Sequence, residues 1–208
     1  MPTSGNQESS SDRQLLQLAR AGDASALAKI FTKYRGRLKR MIKIRMNPRL
    51  QGRLDASDVV QDTLVEAART LDRFLSEPSL PVYFWLRHLA HEKLIEAHRR
   101  HLKTKKRDAS RDLSLHGVAL NATSEAVAFE LISDMSSPSE AMIKKHRKEQ
   151  LTQALESMSD LDREVLTLKH FEQMTNREIA ELLELPYESV KKRYFRALLK
   201  LEKLLGTD

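Results

Sequence analysis

The sequence contains no cysteine, which excludes a disulfide framework and a thiolate metal site and suits a reducing compartment, so a cytoplasmic location is expected. Glycine is scarce and scattered, 6 residues in 208, and neither a phosphate-cradling glycine loop nor a nucleophile elbow can be found. No apolar run approaches the ~20 residues needed to cross a bilayer, and the start, Met1 to Asp12, is polar and Ser-rich, so neither export nor membrane insertion is expected. Strand-like alternation is almost absent too. The remaining chain is long enough for two small domains, each with a modest core.

Charge is present in excess and unevenly spread. Over residues 12–107, 22 Lys/Arg stand against 10 Asp/Glu; over 108–140, 1 against 6; over 141–208, 13 against 12. The basic first half could neutralise phosphates and release counterions, which points to a polyanionic partner; composition alone is equally compatible with a solvated basic surface.

Periodicity is helical throughout. Leu27, Ile30, Phe31, Tyr34, Leu38, Met41 and Ile42 step by three and four, after a turn at Gly22-Asp23. Val59, Val60, Leu64, Ala67, Ala68 and Leu71 form a second stripe, and Phe84, Trp85, Leu89, Leu94 and Ile95 a third, separated by the Pro78 and Pro81 segment. Residues 108–140 are acidic and Ser-rich with weak periodicity, and predict a linker with one short helix around Ser124 to Ile132. The expected architecture is all-α: a disordered tail over 1–11, a helical domain over 12–107, the flexible linker, and a second helical domain over 141–205.

The second domain carries the most specific local pattern. Thr175-Asn176-Arg177-Glu178 is a capping box, Ile179, Leu182 and Leu183 face inward, and Pro186 opens another helix whose buried face is Val190, Tyr194, Ala197, Leu198 and Leu201. Helix-turn-helix spacing results. The second helix projects Tyr187, Glu188, Ser189, Lys191, Lys192, Arg193 and Arg196 outward, residue types suited to major-groove edges and phosphates. A plain helical hairpin with a charged outer face would have the same spacing.

Glu164-Val165-Leu166, Phe171 to Thr175, Glu178-Ile179-Ala180, Val190 to Arg193 and Arg196-Ala197-Leu198 together resemble the upstream-promoter-reading domain of extracytoplasmic-function sigma factors. The first domain agrees independently. Asp55 to Asp62 resembles that family's D-x-x-D-aliphatic-x-Gln-acid signature, and Trp85-Leu86, Leu89-Ala90 and Arg99 resemble its W-L-x-x-I-A helix with a basic end. The resemblance spans about residues 12 to 205 and departs from the family at Glu92 and Glu96, where Asn and Asp are usual.

The resemblance implies a non-enzymatic subunit that binds core RNA polymerase, reads two promoter elements and helps open the duplex, with no metal or other cofactor. Asp58, Gln61 and Asp62 would meet the polymerase. Tyr83, Trp85, Arg87, Arg99, Arg100 and Lys103 would meet downstream DNA, duplex or melted non-template strand, with core packing an equal reading for Trp85 and Phe84. The linker would thread the polymerase, and an anti-sigma factor is a further conceivable partner. For the acidic residues Asp55, Asp58 and Asp62, helix capping competes with a functional role, and a two-metal nuclease lacks its second acidic cluster. His88, His91, His98 and His101 lack the H-E-x-x-H pattern of a zinc site. Other classes are a helix-turn-helix transcriptional regulator that acts without replacing a sigma subunit, and an adaptor that uses its basic face for RNA or lipid.

Overall fold

The computed structural model describes residues 4–46, 53–76, 80–102, 124, 126–128 and 141–205. Among them every regular element is helical and no strand occurs. The chain divides into two compact units, one of residues 1–42 and 46–109, the other of 43–45 and 110–208.

The first unit contains α1 (Ser4–Arg20), α2 (Ala24–Arg45) apart from its last three residues, α3 (Ala56–Ser76) and α4 (Val82–Leu102). The turn between α1 and α2 follows from two residues. Gly22 has φ 98, a left-handed conformation open to glycine, and lets the Asp23 N–H reach back to the Leu18 carbonyl at 3.0 Å. Asp23 then caps α2, its carboxylate accepting from the Ser25 and Ala26 N–H groups at 2.8 and 3.3 Å. Asp55 does the same for α3 through the Ser57 N–H, 2.6 Å away. The Pro81 carbonyl takes the first α4 donors, the N–H groups of Phe84 and Trp85.

Two features of this unit correct the sequence reading. Helix α1 begins at Ser4, where a disordered tail over 1–11 was expected. Its packed part is further along: Leu16 is fully buried, and buried Asp12 accepts from Lys33 Nζ at 2.8 Å and from the Tyr34 hydroxyl, fastening α1 to α2. Once such a turn is fixed, each added residue gains a hydrogen bond, so a polar segment without an apolar face extends the helix. In α3 the inward stripe includes Thr63 but not Ala68. The buried Thr63 hydroxyl is satisfied by donating to the Val59 carbonyl at 2.7 Å.

The second unit contains α5 (Ala141–Glu156), α6 (Asp160–His170), α7 (Asn176–Leu182) and α8 (Tyr187–Leu205). Leu151, Leu155, Met158, Leu166, Phe171 and Ala197 form its core, with Tyr194, Leu198 and Leu201 packed against it. Val127 and Ala128 are fully buried in the same core, and Ser124 accepts from Arg163 Nη1 at 3.1 Å. Residues 124 and 126–128 are helical, within the short helix expected around Ser124 to Ile132, and they pack onto this core. Most of 108–140 lies outside the described residues.

Candidate polymerase and nucleic-acid interfaces

The capping box forms in full: the Glu178 N–H donates to Thr175 Oγ1 at 3.2 Å and the Thr175 N–H to Glu178 Oε2 at 2.6 Å. It fixes where α7 starts. Glu184 then turns the chain with φ 52, its neighbour Leu185 donating back to the Ala180 carbonyl at 2.9 Å. The Pro186 carbonyl accepts from Ser189 and Val190, so this proline sits one residue ahead of α8 rather than inside it. Val190 and Ala197 are buried while Tyr194, Leu198 and Leu201 are partly so, which reproduces the inner face expected of α8. On the α6 side, His170 Nε2 meets the Tyr194 hydroxyl at 3.1 Å; burial, with Lys169 beside it, lowers the His170 pKa.

The outer face of α8 presents most of the residues expected to meet DNA. Tyr187, Glu188, Lys191, Lys192 and Arg196 are exposed and Ser189 is half-buried. Lys191 Nζ lies 3.3 Å from Glu188 and 5.6 Å from the Tyr187 ring centre. Arg193 differs: it is half-buried and donates to Asp162 Oδ1 on α6 at 2.8 Å, an oxygen that Arg196 Nη2 also approaches at 3.3 Å. Sequence reasoning passed over Asp162, since nothing in its spacing announces a partner on another helix. It also passed over Phe195, which stands exposed on the same outer face.

In the first unit, Asp58, Gln61 and Asp62 are all exposed on α3. Two aromatic candidates are not. Tyr83 is 2% exposed, with the Arg37 guanidinium 3.7 Å above its ring and Tyr34 tilted against it at 5.7 Å. It belongs to the core, which corrects its assignment to base contact. The reason is register: on the first turn of α4 it points towards α2, not outward. Trp85 is 8% exposed and stacked on Phe74 of α3, ring centres 4.2 Å apart and planes 4° from parallel, so core packing prevails there as well.

Among the cations of α4, Arg99 is exposed and Arg87 half-buried. Arg100 is exposed but donates to Glu96 Oε1 at 2.5 Å, and Lys93 reaches both Glu66 of α3 (3.2 Å) and Glu96 (3.6 Å). The Arg100 hydrogen bond, then its charge, hold the Glu96 carboxyl below its usual range. The other departure, Glu92, lies 3.4 Å from His88. Lys103 lies outside the described residues, and among those described no group of His, Asp and Glu could hold a metal ion. No described helix is long and apolar enough to cross a membrane.

Comparisons with known proteins follow the same division. Residues 30–104 match the family model of Sigma-70 region 2, and residues 148–201 that of Sigma-70, region 4. The RNA polymerase sigma-H factor of Pseudomonas aeruginosa is 26% identical over 195 residues, 93% of each chain. The ECF RNA polymerase sigma-E factor of Escherichia coli is 24% identical over 194 residues, 91% of this chain and 92% of that one. CnrH, solved in complex with the cytosolic domain of CnrY, has a similar fold at 23% identity and a TM-score of 0.54, covering 95% of this chain and 99% of its own. With region 2 matched in the first unit, region 4 in the second, and relatives that align along almost their whole length, the chain belongs to the sigma-70 family, as a sigma factor of the extracytoplasmic-function type.

Proposed function

We propose that this chain binds core RNA polymerase through the exposed α3 face of Asp58, Gln61 and Asp62, and directs it to promoters through two separate readers. The observation that carries this reading is that both regions occur in one chain, in order, each on its own folded unit. A helix-turn-helix regulator acting without replacing a sigma subunit needs only the second unit, and the region 2 match over 30–104 disfavours it. The chain acts as a regulatory subunit without catalysis of its own, in the cytoplasm where the polymerase works.

In this reading the first turns of α8 enter the major groove, Glu188, Ser189 and Lys192 facing base edges and Tyr187, Lys191 and Arg196 the backbone. Arg87 and Arg99 of α4 meet downstream phosphates, while Arg100 must first leave Glu96. The CnrH structure contains a bound cytosolic protein segment, which supports an anti-sigma partner for this chain too. Core binding tests the polymerase assignment. Gln61→Ala with Asp62→Ala is expected to weaken association with core polymerase at unchanged helicity, because both side chains lie on the solvent side of α3. A variant that melts, or that binds core as the parent does, contradicts it.

A further inference from the structure

On the outer face of α8, Arg193 and Arg196 are tied to a second helix, α6, whereas the Lys191–Glu188 pair stays within α8. A single carboxylate oxygen, Asp162 Oδ1, receives Arg193 Nη1 at 2.8 Å and Arg196 Nη2 at 3.3 Å. The two bonds are unequal in more than length. The Asp162 side chain is 15% exposed and that of Arg193 27%, so their ion pair is largely shielded, whereas the Arg196 side chain is 60% exposed. Asp162 is itself held, since its N–H donates to the Ser159 hydroxyl, the cap of α6, at 3.1 Å. The carboxylate thus belongs to a fixed helix start, and the arginines come to it.

We propose that Asp162 is a positioning residue for DNA reading that divides the labour of these two arginines. It keeps Arg193 on α6 and out of DNA contact. It steers Arg196, whose guanidinium has five N–H donors and only one at Asp162, so that the rest face outward for a phosphate. This inference rests on the sigma-factor reading of α8 and adds a residue outside the helix-turn-helix. It also removes Arg193 from the outward residues of α8 expected to meet DNA. Without the carboxylate, two neighbouring guanidiniums lose their shared counter-charge and the backbone of any nearby DNA becomes the substitute. Binding then gains a contact that carries no sequence information.

The test measures the salt dependence of promoter binding by holoenzyme assembled from the full chain and core polymerase. The duplexes are taken from transcription starts mapped with this chain, with the upstream element intact or scrambled. Each phosphate contact contributes about one to the slope of log K against log salt. Arg196→Gln is expected to lower the slope by about one and Arg193→Gln to leave it unchanged. Asp162→Asn is expected to raise it by about one and to narrow the preference for the intact element, with Asp162→Glu restoring the parent's values. A merely structural Asp162 would lower stability and weaken all binding without steepening the slope. The proposal is overturned if Arg193→Gln lowers the slope as Arg196→Gln does, or if a folded Asp162→Asn chain keeps the parent's slope; should that variant melt, the arginine pair still decides. A parent holoenzyme indifferent to scrambling refutes the sigma-factor reading instead, while the contrast between the arginine variants can still be measured on either duplex.

Discussion

Replacement of Tyr83 by alanine decides between two roles for an aromatic residue of the first unit. The ring is enclosed by Arg37 and Tyr34 and leaves 2% of its surface to solvent. Removing a buried aromatic side chain costs about 3–5 kcal/mol, and Arg37 loses a ring contact of the order of 0.5–2 kcal/mol. Domains of this size are stable by roughly 5–15 kcal/mol, and each kcal/mol shifts their melting point by about 4–8 °C. Tyr83→Ala should therefore melt the first unit more than 12 °C early, or prevent it folding, on the order of three or more kcal/mol at the lower rate. Tyr83→Phe, which keeps the ring over Arg37, should stay within about 1 kcal/mol of the parent. Base stacking predicts the opposite division: a loss of about 1–3 kcal/mol in binding melted DNA at an unchanged melting point. Thermal melts followed by circular dichroism, beside promoter opening by the holoenzyme, distinguish the two. A Tyr83→Ala chain with the parent's melting point and defective opening refutes the core assignment.

Glu184 bears a left-handed φ of 52 in the turn between α7 and α8. That conformation costs an L-residue about 1–2 kcal/mol, of which glycine's greater unfolded entropy returns some 0.5–1, so Glu184→Gly should stabilise the second unit by about 0.5–1 kcal/mol in urea denaturation; destabilisation would contradict the turn geometry. Burial lowers the pKa of His98, and burial followed by Lys169's charge that of His170. The unfolded chain then binds protons more readily than the folded one below about pH 6.5, so this stability is complete above that pH and is lost on acidification. The melting point should fall between about pH 7 and 5.5, less steeply in His98→Gln, and a rise would contradict the assignment. Lys192→Ala should relax the preference at one position of a randomised upstream element, at about 1–3 kcal/mol; equal loss on every sequence would make it a backbone contact.

What was legible in the sequence was local. The capping box at Thr175 and Glu178 and the inner face of α8 follow from residue types at fixed short spacings, and both are present in the fold. Asp55, half of a motif that invited functional reading, turns out to cap α3, which the sequence also allowed. The misses share a different cause. Asp12 with Tyr34, Asp162 with Arg193, and Glu66 with Lys93 each join separate helices, and no periodicity within one helix reveals which charge another will supply. Tyr83 was misread because one apolar stripe on α4 could not say how far the buried arc extends. That helix is buried around much of its first turn, from Val82 to Leu86, so the aromatic residues at its start had no outer side to occupy.

The most direct test of the whole account is reconstitution of this chain with core RNA polymerase on genomic DNA, followed by sequencing of transcript 5′ ends. The account predicts discrete starts that share two upstream motifs at a constant spacing, absent with core polymerase alone and lost when Gln61 and Asp62 are both replaced by alanine. Starts no different from those of core polymerase alone, together with tight sequence-specific binding of the free chain to DNA, would contradict it.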